Sequence, residues 1–111
     1  MTEINRQPAV AAAMKRLWVQ FLPQLEERVR VLEGAAAAVA NGNLTVEQRE
    51  QASSAAHKLA GVLGTFGLDE GTNLAREAEI LYSSGTEPDR SACERLAQIP
   101  KHLQAMFAAR E

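Results

Sequence analysis

The chain has 111 residues, 46% of them hydrophobic, and a formal net charge of −2. That length suits one domain, residues 1–111, and the apolar fraction is too high for a disordered chain. No basic patch stands out, which argues against nucleic acid, and no apolar run is long enough to span a bilayer.

Helical signals dominate, and no run of alternating β-branched residues marks a strand. Pro8 fits the first turn of a helix that carries Val10, Met14, Leu17, Trp18 and Phe21 at helical spacing. Trp18 and Phe21 are expected in the core, with a place at the bundle end near His57 as the alternative. Pro23 is expected to end or kink that helix and to start the next. The next helix carries Leu25, Val29, Leu32, Ala36 and Val39 and stops at Asn41-Gly42-Asn43. Thr45 and Gln48 then form the pattern of a capping box. The helix they open should run to about Phe66, closed by Gly67. Asp69 is the expected N-cap of a helix reaching about Tyr82, with Leu74, Ala78 and Leu81 as its buried stripe. After the loop "SSGTEP", Thr86 or Glu87 should open a last helix carrying Leu96, Ile99, Leu103, Met106 and Phe107, which Pro100 is expected to kink because its ring costs a hydrogen bond to residue 96. Short loops between such helices predict an all-α, antiparallel four-helix bundle with an additional N-terminal helix. Cys93 is the single cysteine, so no internal disulfide forms. With no signal-like leader, a cytoplasmic location is the default expectation.

The stretch "AAHKLAGVLGTFGLDEG" carries the chemistry. At about 100° per residue, Ala52, Ala55, Leu59, Val62, Leu63 and Phe66 gather on the pole opposite His57. His57 should therefore point away from the core. Its helical neighbours Ser53, Ser54, Ala60, Gly61 and Gly64 are all small, where a solvated face usually carries long polar side chains. Gly61 and Gly64 each cost roughly 1 kcal/mol relative to alanine inside a helix. The pattern predicts a histidine standing in a shallow, flat patch open to a partner. No acid, base or nucleophile set accompanies it on its helix. His102 and Cys93 are out of alignment on the last helix and make a poor chelating pair, so a metal-dependent enzyme is the weakest reading. One kind of chemistry needs only a lone imidazole, whose neutral ring nitrogen can attack a phosphoryl group and hold it as a phosphoramidate. Glu77 and Glu79 are expected to be solvated, with Arg76 and Arg95 as weak ion-pair candidates.

"AHKLAGVLGTFGL" resembles the signature of histidine-containing phosphotransfer domains: a histidine, a hydrophobic residue two on, a glycine four on and a further glycine ten on. His57, Leu59, Gly61 and Gly67 match in order, and Gly64 matches a common small position. The following "LDEGTNLAREAE" is similar to the family's next helix. The resemblance implies a phosphocarrier, not an enzyme, in a His-Asp phosphorelay. His57 would accept a phosphoryl group, through Nε2, from a phospho-aspartate and pass it to another receiver. Receiver domains of response regulators or hybrid histidine kinases would be the partners and would supply Mg²⁺ and the catalytic aspartates. The chain itself would need no cofactor and would be a monomer. By position, Gly61 would open access for the receiver, while Lys58, Ser53, Ser54, Ala60 and Gly64 would flank the phosphoryl group. Many relatives carry a lysine three residues after the histidine, where this chain has Ala60. Lys58 is the candidate electrostatic helper, with an ordinary solvated lysine as the alternative. A second reading keeps the same face as a docking surface for receiver or other signalling domains without phosphorylation.

Overall fold

Four α-helices make up nearly all of the backbone in a computed structural model that describes residues 2–110, with side chains from residue 8 onward. They are α1 (Thr2–Ala40), α2 (Val46–Thr65), α3 (Asp69–Ser83) and α4 (Arg90–Arg110). Each helix packs on its two neighbours around a ring, α1 on α2, α2 on α3, α3 on α4 and α4 on α1. Short connections between consecutive helices make the arrangement antiparallel.

The first two expected helices are one. α1 begins at Thr2, so Pro8 lies inside it, and it runs unbroken through Pro23. Residues Trp18, Leu25 and Leu32 repeat every seven positions, and Leu22, Val29 and Ala36 repeat in the same register on the other side of the seam. Of these, Leu22 is half-buried and the others are buried. The apolar stripe therefore keeps its phase across the proline. Pro23 itself is exposed, where water can serve the carbonyl that loses its N–H partner. The additional N-terminal helix expected from the sequence is thus an extension of the bundle's first helix. It gives the molecule its long dimension of 59 Å, about the length of a helix of this size.

The turn signals fall where the sequence places them. Gly42 takes φ +69° and Asn43 N–H donates to Ala38 O at 2.9 Å, closing α1. Thr45 accepts from Gln48 N–H at 3.0 Å, and Gln48 Oε1 accepts from Thr45 N–H at 2.9 Å, so the capping box is complete. At the other end of α2, Gly67 takes φ +71° and Leu68 N–H returns to Leu63 O at 2.9 Å. Two expected starts shift. Asp69 is the first residue of α3 rather than its cap. Leu68, fixed by that return bond, holds the cap position, and its carbonyl accepts from Thr72 N–H. Asp69 and Glu70 instead place negative charge in the first turn, where the helix dipole favours it. α4 opens at Arg90, not at Thr86 or Glu87. Pro88 disfavours helical backbone at Glu87, and the Asp89 carboxylate accepts from Ala92 N–H at 2.8 Å as the cap.

The core joins Leu25, Val29 and Leu32 of α1 to Leu59 and Leu63 of α2, Leu74 and Tyr82 of α3, and Leu96, Ile99 and Leu103 of α4. Small residues set the α2–α3 spacing: Ala52, Ala56 and Ala60 face Ala75 and Ala78, all buried. Gly71 belongs to this close approach. A Cβ there would lie 3.1 Å from Leu63 Cδ1 and 3.4 Å from Met106 Cε. Among the described residues, no helix is long and apolar enough to cross a membrane.

Candidate functional site

The stripe on α2 fixes where His57 points. Ala52, Ala55, Leu59, Leu63 and Phe66 are buried and Val62 is half-buried, all on the side turned to the bundle. His57, on the opposite side, leaves 74% of its side chain exposed. The ring is nonetheless held in place. Its Nδ1 lies 2.9 Å from Glu79 Oε2 of α3. An ionised carboxylate only accepts hydrogen bonds, so Nδ1 carries the proton in this pair. The neutral ring then keeps its lone pair on Nε2, the nitrogen on the far side of the ring from Glu79. Glu79 is itself about one-third exposed, which allows water to moderate the pair but leaves the ring's orientation set.

The sequence marks Glu79 as an ordinary solvated acid; in the structure it is the residue that orients His57. The signal for it lies in the next helix. Glu79 follows Ala78 and precedes Tyr82 by three, which puts it on the rim of the buried α3 stripe beside α2. Glu77, by contrast, does pair with Arg95 of α4 through both carboxylate oxygens. Tyr82 is a second neighbour that the sequence does not single out. It lies beside His57 in the shallow pocket between α2 and the α3 end, with Arg49, Ser53, Ser54, Ser83 and Gly85. Its hydroxyl is buried and pairs with no group among the described residues. Burial pushes the phenol up to about 12, with nearby Cys93 as a smaller cause, so it stays protonated.

The flanking residues divide. Ser53 and Ser54 line the His57 pocket. Gly61 is exposed, and a Cβ built on it meets nothing within 4 Å. Gly64 is exposed as well, and its Cβ would make only an ordinary 3.6 Å contact with Thr72 Oγ1. Internal packing therefore requires neither glycine, and both leave the face low next to the imidazole. Ala60 does not belong to that open face. It is buried against α3, and its carbonyl accepts from Thr72 Oγ1 at 3.4 Å. Lys58 is exposed but lies on the other flank, in the groove between α1 and α2, and does not line the pocket that His57 shares with Glu79. His102 bonds Glu70 through Nε2 at 2.9 Å, and Cys93 Sγ donates to Pro88 O at 3.7 Å, so each has a local structural partner. Trp18 is in the core at the bundle end, edge-on to Phe66 and Phe107; Phe21, half-buried, also meets Phe66.

An exposed imidazole steered by a carboxylate, on a face kept low by glycine, can act as a nucleophile toward a group that a second protein brings to it. Comparison with known proteins points the same way. Protein RcaC of Microchaete diplosiphon is 34% identical over 75 residues, which are 68% of this chain and 12% of that protein. The chain thus spans about an eighth of the length of this curated relative. No solved structure matches. The model of the Hpt domain family matches residues 16–110, a range that contains all of α2, α3 and α4 and most of α1. With the family's histidine pattern on an exposed helix face of a four-helix bundle, the chain belongs to the Hpt domain family.

Proposed function

We propose that the chain is a phosphocarrier of a multistep His-Asp phosphorelay, with His57 as the phosphoacceptor and residues 1–111 acting as one domain. The observation that carries the proposal is the Nδ1–Glu79 bond, which leaves Nε2 as the free nucleophile on an exposed, low face. The donor is a receiver domain bearing an acyl phosphate on aspartate. The Nε2 lone pair forms the N–P bond as the P–O bond to the aspartate breaks, and the aspartate leaves as a carboxylate. The ring then gains positive charge. The Glu79 carboxylate, which accepts from Nδ1–H and is already oriented before reaction, stabilises that charge. The reverse step returns the phosphoryl group to the aspartate of a second receiver. Mg²⁺ and the catalytic aspartates belong to the receivers, of response regulators or hybrid kinases, and the carrier works with them in the cytoplasm as a monomer. Gly61 and Gly64 let the receiver approach the ring, and Ser53 and Ser54 offer hydroxyls along the pocket.

Incubation with a phosphorylated receiver should move label to this chain as an acid-labile, alkali-stable phosphoramidate. His57→Gln should abolish that label while leaving the helical fold intact by circular dichroism. Equal labelling of the variant would remove His57 from the role. Receiver binding by wild type and variant alike, with phosphohistidine formed by neither, would favour a docking module over a phosphocarrier.

A further inference from the structure

The phosphohistidine reading leaves open how the carrier attracts a partner, because the position three residues after the histidine is a buried alanine. Arg49 shares the His57 pocket with Glu79, while two further cations, Arg28 and Lys58, lie on the α1 flank. A groove of about 550 Å³ runs between α1 and α2 beside the histidine, lined by Arg28 and Val31 of α1 and by Gln51, Ser54, Lys58 and Glu50 of α2, the last of which also lines the His57 pocket. Among the described residues neither Arg28 nor Lys58 forms an ion pair, whereas Arg30 on the α1 surface and Arg95 between α3 and α4 both do. Lys58 is exposed and Arg28 half-buried. Two cations against the one carboxylate of Glu50 make the groove net positive, on a chain whose net charge is −2. The pocket on the α3 flank holds two carboxylates, Glu79 beside the ring and Glu50, against one cation, Arg49, whose guanidinium is turned to the Thr86 carbonyl at 3.3 Å. Ser54 touches both the groove and the His57 pocket, so the two are contiguous.

We infer that Arg28 and Lys58 form a two-cation docking clamp for the acidic rim of the receiver's phosphorylation pocket. The inference rests on the phosphotransfer reading and adds the partner-binding charges to it. The occupant follows from charge complementarity: a site that carries phosphoryl on aspartate and gathers further carboxylates is anionic. The clamp is placed to meet that rim on the α1 side while Nε2 meets the phosphorus. Arg28 contributes from a different helix than His57, so the pair fixes the partner's orientation as well as its approach. Charges of this kind act on encounter and complex lifetime, and their effect falls with ionic strength.

The test is phosphoryl transfer from a purified phosphorylated receiver to the whole chain, with rate measured against receiver concentration at low and at physiological salt. Arg28→Glu combined with Lys58→Glu should raise KM by roughly tenfold or more at low salt, lower the maximal rate by less than about twofold, and flatten the salt dependence seen in the wild type. The milder pair Arg28→Gln and Lys58→Gln should give a smaller change in the same direction, and circular dichroism checks the fold of each. Arg30→Glu, on the neighbouring α1 surface where Arg30 pairs with Glu27, serves as the charge control and should shift KM little. An unchanged KM and salt slope in the double variants, with His57 still labelled, overturns the clamp and leaves the phosphocarrier standing. A loss confined to the maximal rate overturns it in favour of direct phosphoryl stabilisation by Lys58. A wild-type chain that no receiver labels at His57 removes the phosphotransfer reading and the clamp together.

Discussion

At the scale of single residues, the site depends on one hydrogen bond between helices. Glu79 fixes both the tautomer and the tilt of His57, and its effect should appear more in transfer than in stability, since the imidazole it holds is largely exposed. Glu79→Ala should lower the phosphotransfer rate by roughly tenfold through loss of the oriented Nε2. Glu79→Gln should recover part of that rate, because an amide oxygen also accepts from Nδ1–H. Equal rates for all three proteins in single-turnover transfer would remove Glu79 from the mechanism. His57 itself is legible in the sequence, because the buried stripe on its own helix excludes it from the core. Glu79 is not, because its role depends on which face of the next helix packs beside α2. Tyr82 gives a prediction of the opposite kind. Its folded pKa is raised to about 12 by burial, whereas an unfolded tyrosine titrates near 10. The folded chain therefore holds a proton that the unfolded chain has released above that point. Stability from this group is complete below about pH 10 and falls as pH climbs toward 12, by roughly 2–3 kcal/mol. Tyr82→Phe should flatten this alkaline loss relative to wild type in denaturant titrations. At neutral pH it should be neutral or stabilising by up to about 1 kcal/mol, because the hydroxyl it removes is buried and unpaired among the described residues.

At the scale of the element, α2 accepts a local cost on its outer face. Gly61 weakens the helix by roughly 1 kcal/mol, and a Cβ placed there would meet nothing inside the molecule within 4 Å. Gly61→Ala should therefore raise stability by up to about that amount in urea unfolding. Under the proposed function it should also slow transfer at fixed receiver concentration, since the added methyl stands where the partner closes on the ring. A variant more stable and equally fast would make the glycine incidental. The ends of α2 are legible because each is closed by local chemistry: Thr45 with Gln48 at the start, Gly67 in left-handed backbone at the end. The unity of α1 is not legible, since a proline read locally says stop. What overrides it is tertiary: Trp18, Leu22, Leu25 and Val29 keep one stripe in phase across Pro23. Ala60 misleads for a related reason. Angular position places it within a turn of His57, but α3 packs so closely there that the residue is covered.

At the scale of the whole molecule, the long first helix and the histidine are secured by different contacts. Among the described residues, α1 lies directly against α2 and α4, with α3 diagonally across the shared core. Its N-terminal half is tied to the bundle end by Trp18, whose ring lies 5.3 Å from Phe66 and 5.5 Å from Phe107, with the Arg110 guanidinium 4.9 Å above it. His57 stands nine residues before Phe66, about 13 Å away along the helix axis, and its bond to Glu79 joins α2 to α3. Loosening the aromatic end should therefore free α1 and the last turns of α4 before it disturbs the site. Trp18→Ala would remove a ring whose loss costs about 3–5 kcal/mol, a large share of the stability of a domain this size. Trp18→Phe is the informative change because it keeps part of the ring contact. In hydrogen exchange, it should cost protection in α1 before Pro23 and in α4 beyond Leu103. Amides of α2 around His57, held by Ala52, Ala56 and Leu59 in the core, should keep theirs, and transfer to His57 should proceed at the wild-type rate below the melting temperature. Protection lost evenly across all four helices, with transfer lost alongside it, would mean instead that the bundle opens as one cooperative unit and that the site has no stability of its own.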